Sequence, residues 1–147
     1  MASRDKKQLN STMVQAYDMA VALYQERHPN DPQPFITCTY RTDEEQLALY
    51  NQPKDGIDNN HNGIIDDASE KVTQAKPGES PHNFNPSFAF DIAFINTVTQ
   101  KIDWGSQYFK QFADCIKQIS SAVECGIDWK FKDAPHFELK GWKSQVK

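Results

Sequence analysis

Apolar side chains at Met13, Ala16, Tyr17, Ala20, Leu23 and Tyr24 recur at helical spacing, so residues 9–27 are predicted to form an amphipathic helix. Asn10, Ser11 and Thr12 are its candidate caps. His28-Pro29 and the proline-rich stretch to Pro34 end it in a loop. Residues 35–40, Phe-Ile-Thr-Cys-Thr-Tyr, are β-branched and aromatic and read as a strand. Thr42 followed by Glu45 is a capping box, which opens a second helix running to about Tyr50. Residues 51–70 are polar and dense in Asp, Asn and Gly, residues 71–74 read as a short strand, and Lys76-Pro77-Gly78 reads as a turn. Residues 87–95 read as a central strand, apolar except for Asp91. Phe109, Phe112, Ala113, Ile116, Ile119 and Val123 share one helical face, which predicts a third helix over 104–124. Residues 127–131 and 136–140 are short strand candidates. The order of elements predicts an α+β fold with helices packed on one antiparallel sheet.

Composition changes this picture little. A chain of 147 residues that is 38% hydrophobic and 24% charged suits a single globular domain over 1–147. A net charge of −4 with no basic cluster argues against nucleic acid as a partner. The N-terminus carries charges with no apolar stretch behind them, and no segment approaches the ~20 apolar residues that span a bilayer. Residence in the cytoplasm, without stable membrane insertion, is the resulting expectation. The 3 cysteines, Cys38, Cys115 and Cys125, have irregular spacing and are expected to be reduced thiols.

Three side chains carry candidate metal chemistry: His82, Asp91 and His136. A catalytic zinc typically takes three protein ligands of histidine and carboxylate type and keeps a fourth position for water. His82 precedes the strand that bears Asp91, and His136 comes from a distant segment that only folding would bring near. Taken singly, either histidine is more often a satisfied polar residue than a ligand. Asp91 stands out because a carboxylate inside Phe-Ala-Phe-Asp-Ile-Ala-Phe would be buried, and buried charge needs a partner or a metal.

Residues 55–67 carry a second metal pattern. Asp58, Asn60 and Asn62 offer alternating oxygens, Gly63 stands where calcium loops turn sharply, and Ile64 would offer its backbone carbonyl. Ser69 occupies the position where such loops usually carry Glu, so Asp67, or else Asp66, would supply the last carboxylate. The other reading of this stretch is an Asn/Gly loop that binds nothing. Inserted at about 51–70, between Arg41–Gln46 and His82, an ordered loop could reshape a nearby cleft.

Ser80-Pro81-His82-Asn83, then Ala89-Phe90-Asp91, then Asp133-Ala134-Pro135-His136-Phe137-Glu138-Leu139 resemble the zinc D,D- and L,D-peptidases related to hedgehog. The resemblance is nearest to phage endolysins with L-alanyl-D-glutamate peptidase activity. It runs from about Phe35 to Leu139, with Thr37-Cys38-Thr39-Tyr40-Arg41 and Gln46 similar to the family's substrate segment and residues 72–78 to its approach to the first ligand. The resemblance implies the hedgehog/D-Ala-D-Ala peptidase-like fold. It implies zinc held by His82, Asp91 and His136, Asp133 as the catalytic carboxylate, and Arg41 as a catalytic and substrate-binding cation. It also implies Gln46 and Ser80 at the edge of the substrate site. Two departures stand out. Asn85-Pro86-Ser87 looks like a loop inserted between the first two ligands, and the segment before Trp129 is shorter than the family's.

The expectation is a monomeric endolysin acting on peptidoglycan, with one zinc and one calcium ion, held in the host cytoplasm until a holin-type membrane lesion releases it. A D,D-carboxypeptidase would use the same motifs. A non-enzymatic metal-stabilised wall-binding module would need no base at Asp133.

Overall fold

The structure is a computed structural model that describes residues 3–51, 76–130 and 132–145. Its elements in chain order are α1 (Ser11–Arg27), β1 (Gln33–Cys38), α2 (Asp43–Tyr50), β2 (Ala89–Ile95), β3 (Ile102–Asp103), α3 (Ser106–Ile119), β4 (Val123–Cys125) and β5 (His136–Leu139). The strands lie in the order β1-β2-β5-β4, with β3 also paired to β2, and the pairings among these described strands are antiparallel. The architecture is α+β with helices on one antiparallel sheet, as the apolar pattern predicts. No helix among the described residues is long and apolar enough to cross a membrane.

Local chemistry explains the first half of the chain. The Asn10 side chain accepts from the Thr12 amide at 3.0 Å and starts α1. Met13, Ala16, Tyr17, Ala20 and Tyr24 form its buried stripe. Beyond Arg27 the chain folds back, and Tyr24 donates its hydroxyl to the Pro32 carbonyl at 2.9 Å. At α2 the Thr42 hydroxyl accepts from the Glu45 amide at 3.1 Å and the Glu45 carboxylate from the Thr42 amide at 2.9 Å, which is the expected capping box. Strand β1 begins at Gln33, earlier than the pattern suggests, and includes Pro34. It lies at the sheet edge, where a residue without an N–H costs no ladder bond.

The sheet has two unlike faces. Phe90, Ile92 and Phe94 of β2 point to α1 and α3, where they meet Tyr17, Tyr24, Phe109 and Phe112 in one aromatic core. Ala89, Asp91 and Ala93 alternate onto the opposite face. There Asp91 is flanked by Cys38 of β1 on one side and His136 of β5 on the other. A β-bulge makes this row. Ile36 pairs with Ile92, but Asp91 pairs with Cys38 in place of Thr37. One extra residue in β1 thus carries Cys38, and the chain leading to Arg41, onto the Asp91 face.

Two predicted elements are corrected. The third helix stops at Ile119, not 124, and Val123 belongs to strand β4. Ser120 leaves the helix and its hydroxyl accepts from the Ala122 amide at 3.2 Å, a local bond that competes with further helix. Val123, Glu124 and Cys125 then alternate in burial and pair with β5. The strand expected over 127–131 is instead a short 3-10 turn, Gly126–Asp128. The Gly126 carbonyl accepts from the amides of Trp129 (3.2 Å) and Asp133 (2.9 Å), which curls the chain there. A Cβ at Gly126 would run into the Asp133 carbonyl, so this close approach requires glycine. The strand expected at 71–74 lies outside the described residues.

Candidate metal centre

Three segments bring His82, Asp91 and His136 together. β2 and β5 place Asp91 and His136 side by side. His82 arrives on a 3-10 turn, Pro81–Asn83, whose start is capped by Ser80. The Ser80 hydroxyl accepts from the His82 amide at 3.2 Å, and the Asn83 side chain accepts from the Ser80 amide at 3.2 Å. The His82 carbonyl in turn accepts from the Arg41 amide at 2.8 Å, which ties the turn to the end of β1. The extra loop before β2 is pinned to the N-terminal segment: Ser87 donates its amide to the Gln8 carbonyl at 2.6 Å and accepts from Asn10 at 2.8 Å.

The donor atoms form a nearly equilateral triangle. His82 Nε2 lies 3.2 Å from Asp91 Oδ1 and 3.3 Å from His136 Nδ1, and His136 Nδ1 lies 3.1 Å from the same Asp91 oxygen. A tetrahedral zinc with bonds of about 2.0–2.1 Å separates its ligand atoms by about 3.3 Å. The outer ring nitrogens are both occupied. His82 Nδ1 meets the Thr39 carbonyl at 2.7 Å, and His136 Nε2 meets Glu138 Oε1 at 2.8 Å. Each partner can only accept, so each proton belongs on the outer nitrogen and each inner nitrogen turns a lone pair to the triangle. Cys38, His82 and Asp91 also present ligand atoms within 4.8 Å of one another. Cys38 Sγ, however, sits 3.6 Å from His82 Nδ1, on the side that Thr39 already occupies. The donor set that fits zinc is therefore His82, Asp91 and His136.

The three groups also shift one another's ionisation. Burial works against a charged His82, but the Asp91 carboxylate beside it wins and pushes the imidazole up to about 10. His136 is raised in the same way against its own burial, by its bonds to Asp91 and Glu138. Burial opposes the Asp91 charge, yet the two imidazoles hold its carboxyl well below the usual range. Asp133 is exposed at the rim, three residues before His136. Loss of solvent on its inner side, then the Asp91 charge, raises its carboxyl, while His136, His82 and Arg41 act to lower it.

Arg41 reaches over the same face. Its Nη2 is 3.8 Å from Asp91 Oδ2 and 3.6 Å from Cys38 Sγ, and its Nη1 donates to Gln46 Oε1 at 2.9 Å. Its buried Nε has no acceptor among the described residues. Gln46 is fully buried and Ser80 nearly so, and their contacts hold Arg41 and the His82 turn. Trp129 packs its ring 5.2 Å from that of His136 and donates its indole N–H to Glu124 at 2.9 Å. The expected calcium ligands Asp58, Asn60, Asn62, Ile64 and Asp67 lie outside the described residues. Sequence reasoning missed the Thr39 carbonyl, Cys38 and Glu138. Only Glu138 left a trace, because a residue two places after His136 in a strand shares its face.

No protein-family model and no curated protein matches the chain. Solved structures do. The chain is similar to the crystal structure of the Serratia marcescens L-Ala D-Glu endopeptidase ChiX, with a TM-score of 0.64 and 17% identity over 98% of this chain and 92% of that one. It is also similar to a mutant of the D,D-pentapeptidase VanY from a VanB-type vancomycin resistance cassette, in complex with Zn(II). That match has a TM-score of 0.60 and 13% identity over 99% of this chain and 80% of that one. The chain thus has the D,D-/L,D-peptidase fold that its motifs imply.

The purified chain is expected to hold one zinc ion, and His82→Ala, Asp91→Ala or His136→Ala to lose most of it, as read by elemental analysis after dialysis. Because zinc must displace protons from the raised imidazoles, chelator competition should show affinity falling as the pH is lowered. Unchanged zinc content in His136→Ala would rule out this ligand set.

Proposed function

We propose that the chain is a zinc metallopeptidase that hydrolyses the L-alanyl-D-glutamate bond of peptidoglycan stem peptides. The observation that carries this reading is the triangle of His82 Nε2, Asp91 Oδ1 and His136 Nδ1, with sides of 3.1–3.3 Å and both outer nitrogens tethered. The endopeptidase ChiX, which shares the fold over nearly the whole chain, supports the choice of bond. When bound, zinc supplies Lewis acidity and lowers the pKa of water from 15.7 towards about 7. Asp133 takes the proton of the attacking water and returns it to the departing amine. Arg41, steadied by Gln46, offers guanidinium N–H groups to the oxygen that gains charge in the transition state. Ser80 and Gln46 shape the edge of the substrate site from behind. In this reading the enzyme is a phage lysin released from the host cytoplasm to reach the wall.

Asp133→Ala and Asp133→Asn are expected to keep zinc and fold but lose about 10²–10⁴-fold in rate, the span of general-base catalysis. Digestion of purified peptidoglycan, followed by mass spectrometry, should give new N-terminal D-glutamate and C-terminal L-alanine. Release of free D-alanine would make the enzyme a D,D-carboxypeptidase, and zinc binding without cleavage would make it a wall-binding module.

We propose further that the 55–67 segment binds one calcium ion through Asp58, Asn60, Asn62, Asp67 and the Ile64 carbonyl, and that this modulates the enzyme. Its two carboxylates and two amides suit a weak site, with a Kd of about 10⁻⁵–10⁻³ M. Millimolar calcium should raise the melting temperature by mass action and raise the lytic rate. Asp58→Ala with Asp67→Ala should remove both effects and leave zinc in place. Calorimetry showing no heat of calcium binding to the wild type would reject the site.

A further inference from the structure

We infer that Glu138 is a positioning residue for the metal centre: clamped by Trp142, it fixes the ring and tautomer of His136 so that Nδ1 is the ligating atom. The inference rests on the zinc reading above. Residues 136 and 138 are two apart in β5, so both side chains stand on the Asp91 face, while Phe137 and Leu139 enter the core. Glu138 commits both oxygens. Oε1 accepts from His136 Nε2 at 2.8 Å and Oε2 from the Trp142 indole N–H at 3.1 Å. Trp142 cannot easily give way. It is 5% exposed, stacks on Phe88 at 6.3 Å and packs on Phe84 at 5.8 Å. Gly141, with φ of +70°, turns the chain off the end of β5 so that this indole folds back over the strand.

The two histidines are thereby held by unlike partners. The outer nitrogen of His82 meets a neutral backbone carbonyl, whereas that of His136 meets a carboxylate. A bond to an ionised acceptor is roughly twice as strong as a neutral one and makes the imidazole a better donor to a metal. Among the described residues, the ion-pair partner of Glu138 is His136 alone. Across the sheet Glu138 faces a second carboxylate, Glu124, which is engaged by Trp129. An opposed pair of carboxylates is unfavourable in itself.

The test uses the full chain and zinc alone. Zinc affinity is measured by chelator competition for wild type, Glu138→Ala, Glu138→Gln and Trp142→Phe, and the metal-free proteins are melted in parallel. Glu138→Ala should weaken zinc by about 10–100-fold. Glu138→Gln, whose one amide oxygen can still accept from His136 but which carries no charge and loses the bond from Trp142, should weaken it less, and Trp142→Phe, which keeps the packing and loses the N–H, least. Cobalt-substituted Glu138→Gln should show a shifted visible absorption band, which a purely structural role would leave in place. If Glu138→Ala fails to fold, Glu138→Gln with a wild-type melting temperature decides the matter. Wild-type zinc affinity and cobalt spectrum in Glu138→Gln, with Glu138→Ala either equally tight or unfolded, would overturn the inference. Failure of the wild type to bind zinc would instead overturn the metal centre on which it rests.

Discussion

A single half-buried charge organises this protein. Asp91 is a carboxylate in the middle of the most apolar strand of the sheet, between Phe90 and Ile92, which are both fully buried. An ion in that position is tolerated only if its surroundings repay the lost hydration. Here two imidazoles and, at a longer distance, a guanidinium face it. The alternation of β2 resolves the conflict between core and charge. It sends the phenylalanines to the helices and the carboxylate to the open face. The aromatic core against α1 and α3 in turn makes the strand rigid enough to hold a donor atom in place.

The rest of the structure serves that convergence. The bulge in β1 turns the chain by one residue so that Cys38, Thr39 and Arg41 follow the Asp91 row. The Thr39 carbonyl then fixes His82, whose turn is fixed by Ser80, and the Arg41 amide closes the circuit back to His82. On the other side, the Gly126 turn supports the Asp133 backbone, which accepts from the His136 amide at 3.0 Å. Outer partners of this kind orient the side chains that a metal would meet.

Much of this was legible in the sequence, and the reasons differ by element. The stripe of α1, the Thr42–Glu45 box and the apolar run of β2 are local signals, and local signals survive without a partner. Asp91 announced itself by contrast with its neighbours. The end of α3 is hidden in the pattern because Val123 falls on the same helical face as Ile119, and only pairing with β5 shows it to be a strand residue. The turn at Gly126 depends on a bond to Asp133, seven residues away in sequence and invisible to any periodicity. The Thr39 carbonyl is backbone, so no residue type marks it.

The central claim is that zinc sits on His82, Asp91 and His136 and not on the neighbouring thiol of Cys38. X-ray absorption at the zinc edge of the loaded protein tests it most directly. The account predicts a first shell of nitrogen and oxygen at about 2.0–2.2 Å, with the outer-shell pattern of two imidazoles and no sulfur. A sulfur scatterer at about 2.3 Å would contradict it and move the centre onto Cys38.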